Sequence, residues 1–199
     1  MMTAAGVPDW YIWSCKRIKY MFPKAHAAAY VMMAFRIAYF KVYYPLAYYA
    51  AYFSIRASAF NYELMCLGRE RLEQHMADYK RRYNMLSKKE QDTFKDMRNV
   101  QEMYARGFEF MPIDIYTAKA HAFQIIDGKL MPSLSTIDGL GDKAADAVVE
   151  ASAQGKFLSR EDFKIRCKAT STVVDNMAKM GLLGDLPISD QMSLLDFLQ

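Results

Sequence analysis

Apolar residues recur every three or four positions along much of the chain, which is the spacing of one face of an α-helix. The longest such run spans residues 24–44, where one face carries Tyr30, Met33, Ile37 and Phe40. A shorter helix is predicted over residues 9–22, and another begins at Pro45 and runs to about Ser58, since proline fits the first turn of a helix. A helical stripe of this kind usually packs in a core, so most of these aromatic side chains are expected to be buried.

The middle of the chain changes its pattern twice. Residues 68–106 are rich in charge and predict helices with a break near Asn84; a capping box at Ser87–Glu90 starts the second helix. From Phe108 to Leu130 the apolar period moves toward two, and the pair Asp127-Gly128 is typical of a tight turn. A small strand pair is therefore expected within residues 107–131.

The C-terminal third returns to helical spacing and predicts a compact module over residues 132–186. A helix begins after Ser159, and another begins near Thr170 or Ser171 and stops at Gly181. The pattern as a whole predicts a mainly α fold with a small β hairpin, in which a helical bundle precedes a helix-hairpin-helix module.

The run Gly139-Leu140-Gly141 carries the most specific chemistry in this module. Both glycines can adopt positive φ and have no Cβ, so the backbone can approach an anion closely. The N–H groups of residues 141–143 would be the unpaired donors of the next helix, and a nucleic-acid phosphate is their natural ligand. The alternative is a tight turn between two packed helices with no ligand at all. Small side chains on the following helix favour the first interpretation: Ala144, Ala145, Val148 and Val149.

Composition and charge narrow the class of partner. The chain has 199 residues, of which 53% are hydrophobic and 24% charged, as in a globular protein. Residues 1–56 carry seven Lys or Arg against one acid, residues 57–106 ten against eight, and residues 107–199 nine against thirteen. The basic N-terminal segment suits a polyanion such as DNA or a nucleoside triphosphate. The acidic balance of the last segment argues against strong DNA binding by the hairpin alone.

No feature of the chain indicates secretion or a membrane span. The three cysteines, Cys15, Cys66 and Cys167, lie far apart and form no metal-binding or redox motif. Arg36 and Lys41 divide the longest apolar stretch into pieces shorter than the ~18 residues that a span needs. A cytoplasmic protein without membrane contact is expected.

The C-terminal tail repeats anchor residues every three positions. Gln191, Leu194 and Phe197 would share one side of a helical turn, as in a peptide that docks in a partner's groove. The alternative is an amphipathic end that packs on its own module.

Four motifs carry a family resemblance. The runs SCKRIKYMFPKAHAAAY at 14–30 and RIAYFKV at 36–42 closely resemble the fingers of the PolC-type DNA polymerase III α subunit of low-GC Gram-positive bacteria. The run RGFEFMPIDIY at 106–116 and the Gly-Leu-Gly hairpin resemble the C-terminal region of that enzyme in the same order. The resemblance covers nearly the whole chain.

The resemblance implies an organisation in five segments. They are fingers helices at 1–67, a charged helical part of the fingers at 68–106, the strand pair at 107–131, a DNA-binding module at 132–186 and a clamp-binding tail at 187–199. In this family, palm aspartates hold two Mg²⁺ ions for nucleotide transfer. The chain has no Asp-x-Asp pair. The palm and thumb are therefore expected upstream of Met1, and this chain is expected to bind no metal and to be inactive alone.

The resemblance also implies three sets of binding residues. Lys24, His26 and Tyr30 would contact the incoming deoxynucleoside triphosphate, although a packing role for His26 remains open. Gly139, Leu140, Gly141 and Lys143 would contact the backbone of double-stranded DNA. Gln191, Leu194 and Phe197 would bind the sliding clamp, with Leu195 where the family has a phenylalanine directly after the leucine.

Two other functions fit parts of the sequence. The first is a free-standing helix-hairpin-helix accessory protein that binds DNA without a polymerase partner. The second is a helix-hairpin-helix glycosylase or nuclease. That class is disfavoured because no aspartate follows the hairpin in a Gly-Pro-Asp context and no cluster of metal ligands is present.

Overall fold

The computed structural model describes residues 1–18 and 23–189. In this part of the chain the fold is mainly α with one small β hairpin, as predicted. The α-helices are α1 Asp9–Arg17, α2 Lys24–Tyr43, α3 Pro45–Ile55, α4 Tyr62–Met65, α5 Arg69–Arg81, α6 Lys88–Ala105, α7 Asp142–Ala153, α8 Arg160–Cys167 and α9 Ser171–Lys179. The strands are β1 Gln124–Ile126 and β2 Lys129–Met131, and short 3₁₀ turns lie at Thr3–Ala5, Tyr83–Met85 and Leu134–Thr136.

The chain divides into two compact units, which meet in sequence between Tyr43 and Tyr44. The first unit contains α1 and α2. Helix α1 ends at Arg17, because Ile18 is extended with φ −80° and ψ 110°; the prediction of a helix continuing to residue 22 is therefore too long. Residues 19–22 lie outside the described residues. The long helix predicted over 24–44 is confirmed as α2.

The predicted burial of the α2 aromatic stripe is wrong. None of the residues of α2 is buried. The exposed fractions are 68% for Tyr30, 52% for Met33, 54% for Ile37 and 53% for Phe40. Val31 and Phe35, off this stripe, are exposed as well, so apolar side chains surround the helix rather than follow one face. Periodicity identified the side chains that share a face, but whether another element covers that face is not a local property.

The second unit begins with α3 and contains two hydrophobic cores. The first core lies among α3, α5, α6 and the hairpin, and its largest buried members are Tyr49, Met65, Leu72, Met97, Met103 and Leu130. Phe53, Phe110 and Phe123 form an aromatic cluster in it, with ring centroids 5.5–6.2 Å apart. Rings at these distances are in the range of favourable edge and offset contacts.

Local sequence signals set the elements around this core. In the capping box, Ser87 Oγ accepts the N–H of Glu90 while the Glu90 carboxylate accepts the N–H of Ser87 at 2.8 Å. In the β hairpin, Gln124 pairs with Met131 and Ile126 with Lys129. Asp127 and Gly128 both have positive φ, 49° and 75°, as a type I′ turn requires. The alternating residues from Phe108 form no strand beyond one isolated bridge between Phe110 and Leu130.

The second core holds the C-terminal helices together. Its fully buried members include Leu134, Ile137, Val148, Phe163 and Met177. At the end of α9, Gly181 adopts φ +74° and the N–H of Leu182 donates to Met177 O at 2.9 Å, so the predicted Schellman cap is confirmed. In the part of the chain that the structure describes, no helix has the length and apolar character needed to cross a membrane.

Candidate nucleic-acid interface

The Gly-Leu-Gly bend connects the one-turn 3₁₀ helix at 134–136 to α7. Gly139 has φ +80°, which favours glycine, whereas Gly141 has φ −65° and ψ 162° and is the N-cap of α7. The expectation that both glycines use the freedom of positive φ therefore holds only for Gly139. An extended residue at the N-cap is the usual geometry of a helix start, so Gly141 is not required there for its backbone angles.

The surroundings of the two glycines differ as much as their backbone angles. A Cβ added at Gly139 would come within 3.2 Å of Val173 Cγ2 on α9. A Cβ added at Gly141 would meet no atom within 4 Å. The fold thus requires glycine at position 139. Gly141 instead leaves open space on the outer side of the bend, where a ligand can come close to the backbone.

Leu140 has a structural position in the bend. Its side chain is only 4% exposed and belongs to the second core. Its N–H donates to Ile137 O at 3.1 Å. Burial keeps the Leu140 side chain away from the surface, so the predicted contact of Leu140 with DNA stays a prediction for its main chain alone. It anchors the bend between the two exposed glycines.

The N–H groups at the start of α7 face solvent without acceptors. Gly141, Asp142 and Lys143 are exposed, and no side chain caps this helix. Within residues 1–18 and 23–189, none of these three N–H groups has an acceptor. Three unpaired donors at the positive end of a 12-residue helix have the chemistry that suits a phosphate oxygen.

A second bend, between α8 and α9, repeats the order of the first: a residue with positive φ, then a buried residue, then the N-cap of a helix. Lys168 adopts φ +53°, Ala169 is 8% exposed, and Thr170 is the N-cap whose hydroxyl accepts the N–H of Val173. No sequence pattern indicates this bend, because it contains no glycine and a lysine with positive φ cannot be recognised from its neighbours. Only the Thr170 cap signalled a helix start.

The two bends line one groove. Residues 139–144 form one side and residues 168–170 with Val173 the other, around a cavity of about 480 Å³. The module is therefore a pair of hairpins whose helix starts, at α7 and α9, open onto the same surface.

Charges of both signs surround the groove. Lys143 and Lys168 are exposed and make no ion pair in the part of the chain that the structure describes. Asp142 and Asp146 are partnered by His121, whose Nδ1 lies 3.8 Å from Asp142 Oδ1 and whose Nε2 lies 2.9 Å from Asp146 Oδ1. The histidine thus sits against the acidic side of α7, while the two lysines face the groove.

The nucleotide-binding candidates lie in the first unit. Lys24 is the first residue of α2, and Lys24, His26 and Tyr30 are all exposed. The rings of His26 and Tyr30 are 4.6 Å apart in an edge-on arrangement. His26 is therefore not a histidine packed in a core, and it shares one helix face with Tyr30.

The clamp-binding candidates Gln191, Leu194 and Phe197 lie outside the described residues. The chain that leads to them is held against the start of α8. The N–H of Arg160 donates to Pro187 O at 2.8 Å, and the N–H of Glu161 donates to Ile188 O at 3.2 Å.

Among the described residues no cluster of metal ligands is found, and burial keeps two of the three thiols protonated. No three His, Cys, Asp or Glu among them are arranged to hold a metal ion. Burial raises the pKa of the Cys167 thiol to about 12 and that of Cys66 well above its usual value, so both are protonated near neutral pH.

Comparison with known proteins agrees with this arrangement. A family model described as a helix-hairpin-helix motif matches residues 107–191, a range that includes both bends. DNA polymerase III PolC-type of Streptococcus pyogenes serotype M5 (strain Manfredo) is 47% identical over 197 residues, which is 98% of this chain and 13% of the relative. DNA polymerase III PolC-type of Streptococcus suis (strain 98HAH33) is 50% identical over 192 residues, or 96% of this chain and 13% of the relative. The chain spans about 13% of the length of these curated relatives.

Proposed function

Since this chain matches one part of PolC-type DNA polymerase III over almost all of its own length, we propose that it is a portion of such a replicative DNA-directed DNA polymerase. In this proposal the chain positions the incoming deoxynucleoside triphosphate and duplex DNA and tethers the enzyme to the sliding clamp. The corresponding location is the cytoplasm, where a bacterial chromosome is replicated.

Duplex binding is the activity with the most direct structural support. The unpaired N–H groups of Gly141, Asp142 and Lys143 border an open groove that the second bend also lines. Main-chain donors of this kind contact phosphates and carry no base information, so binding is proposed to be independent of DNA sequence. Lys143 and Lys168 supply the positive charge that a phosphate backbone attracts.

Nucleotide binding is proposed for the start of α2. Lys24 provides a cation at the helix start, and His26 and Tyr30 provide a polar and an aromatic ring on one exposed face. A triphosphate suits the cation and the positive end of the helix, while a base suits the aromatic ring.

Nucleotide transfer itself is assigned to the remainder of the polymerase. The chain has no Asp-x-Asp pair, and the Mg²⁺ ions of such an enzyme are proposed to be bound by palm residues outside this chain. The upstream palm and thumb are accordingly its proposed protein partners, together with the clamp at Gln191, Leu194 and Phe197.

Substitutions at Gly141 test duplex binding. Gly141→Ala and Gly141→Val place side chains in open space at backbone angles that any residue adopts, so the melting temperature should fall only slightly, through the weaker N-cap preference of alanine and valine. Affinity for labelled duplex DNA, measured by fluorescence anisotropy, should fall in Gly141→Ala and fall further, by about tenfold or more, in Gly141→Val. The reason is that the added side chain fills the space through which the phosphate reaches the N–H groups. The unsubstituted chain should bind more weakly as salt rises.

The matched control is Ala153→Val, which adds bulk to an exposed residue at the other end of α7, about 18 Å away along the helix. Its affinity should equal that of the unsubstituted chain. An unchanged affinity in Gly141→Val would remove the bend from the DNA interface.

A further inference from the structure

The segment that carries both bends has a negative net charge. Residues 107–199 contain nine Lys or Arg against thirteen acids. Two of the acids lie at the first bend itself, since Asp138 directly precedes Gly139 and Asp142 directly follows Gly141. A phosphate held by the N–H groups of the bend would be repelled by both carboxylates, so a cation beside Asp138, in addition to Lys143 and Lys168 at the groove, would strengthen phosphate binding.

Helix α6 places such a cation at the bend. Lys89, the second residue of α6, has its Nζ 4.0 Å from Asp138 Oδ1. The side chains are 80% and 72% exposed. An ion pair at this distance and exposure contributes little to stability, so the ammonium can leave the carboxylate without loss to the fold.

The other charges at the start of α6 pair with one another. Lys88 and Lys95 share one carboxylate, with their Nζ atoms 3.2 and 2.8 Å from Asp92 Oδ1. These hydrogen bonds from Lys95 and Lys88 lower the pKa of Asp92, which keeps it ionised. Glu90 in the same turn pairs with Arg82 at 3.1 Å, so among the described residues the carboxylate partner of Lys89 is Asp138.

We propose that Lys89 is a phosphate-binding residue of the duplex interface, and that its ion pair with Asp138 breaks when DNA binds. The proposal rests on the duplex binding proposed above. Phosphates follow each other about every 3.4 Å of helix axis along one strand. A strand that runs from Gly141 toward Asp138, three residues earlier in the chain, would bring a further phosphate within reach of the flexible Lys89 side chain. The interface then extends from the hairpin module onto α6.

Duplex binding by Lys89→Gln and Asp138→Asn tests this assignment. Anisotropy titrations of each variant are run from low to moderate salt concentration. Lys89→Gln should weaken binding several-fold at low salt and reduce the slope of log K against log salt by about one, the value for one lost phosphate contact. Asp138→Asn should strengthen binding several-fold, because it removes a carboxylate that competes with phosphate for Lys89.

The matched control is Lys179→Gln, which changes net charge equally at the last residue of α9, the end of that helix remote from the bends. If Lys89→Gln and Lys179→Gln bind alike, Lys89 is not a contact, even though duplex binding at the bend stands. If instead the unsubstituted chain binds no duplex, or Gly141→Val binds as tightly as the unsubstituted chain, it is the proposed function that fails. Both lysines are exposed, so unchanged melting temperatures should accompany the measurements on the two lysine variants.

Discussion

Asp96 is a buried carboxylate in the middle of α6, and it makes the stability of the fold depend on pH. It is 4% exposed, and its Oδ2 accepts the N–H of Ala59 at 3.1 Å. Burial raises the pKa of Asp96, and the hydrogen bond from Ala59 opposes this only in part. A folded-state pKa above the unfolded value means that the folded state is favoured while Asp96 is protonated and loses stability as the pH rises through that pKa.

Asp96→Asn should therefore stabilise the chain near neutral pH. The amide oxygen can still accept the Ala59 N–H, and the variant no longer buries a charge. Urea denaturation at pH 7 and at pH 4 should give a larger gain in the free energy of unfolding at pH 7. Asp185→Asn, at an exposed position, serves as the control and should change stability at neither pH. A loss of stability in Asp96→Asn at pH 7 would contradict this account.

At the scale of elements, one side chain of α8 holds the end of α7. The Arg166 guanidinium donates to the main-chain oxygens of Ala151, Gly155 and Lys156, and to Asp162 Oδ2 at 3.2 Å. It also lies 4.6 Å from the centroid of the Phe157 ring. Ala151 O belongs to the last turn of α7 and also accepts the N–H of Gln154, whereas the oxygens of Gly155 and Lys156 lie in the connection that follows the helix. This contact fixes the connection between the two hairpins and so the groove between their bends.

Arg166→Met should lower the free energy of unfolding by about 2 kcal/mol or more, since it leaves carbonyls and Asp162 without a charged donor. Arg166→Lys should recover little of the lost stability, because an ammonium cannot reproduce the several N–H donors of a planar guanidinium. The comparison is Lys164→Met on the exposed side of α8, which should be nearly neutral in guanidinium denaturation. Duplex affinity should fall in both Arg166 variants as the bends lose their fixed spacing. An Arg166→Lys variant with full stability would show that the planar guanidinium is dispensable.

At the scale of the whole molecule, the two units have different surfaces. The first unit is basic, and its helix α2 has no buried residue. The second has two cores and carries the groove. Extended apolar surface usually marks a site of contact with another protein or domain. This agrees with a chain that matches 13% of the length of larger polymerases.

The proposed clamp-binding tail gives a prediction at this scale. Leu194→Ala and Phe197→Ala should each weaken binding to the sliding clamp by about tenfold or more, because each removes an apolar anchor from a groove-binding peptide. Surface plasmon resonance against immobilised clamp measures this. Leu195→Ala is the internal control, since the three-residue spacing predicts Leu195 off the side that Gln191, Leu194 and Phe197 would share. A loss in Leu195→Ala equal to the others would assign the anchor to the adjacent position instead.

The features foreseen correctly depend on contacts between near neighbours in sequence. The Ser87–Glu90 capping box, the Asp127-Gly128 turn and the Gly181 cap each involve residues within about five positions, so the local sequence contains every partner. The break between α5 and α6 and the Pro45 start of α3 are of the same kind. The functional roles of the nucleotide-binding and clamp-binding residues remain predictions, since they concern ligands rather than local structure.

The amino-acid sequence alone thus established the helical class, the turns and the Gly-Leu-Gly bend, because hydrogen bonds within a turn or cap are decided by a few adjacent side chains. Folding in three dimensions decided which apolar faces are covered, why Gly139 must lack a Cβ against Val173, and how Lys168 and Lys89 come to border the same bend. These properties depend on residues tens of positions apart whose proximity follows from the packing of whole helices. No local pattern encodes that proximity.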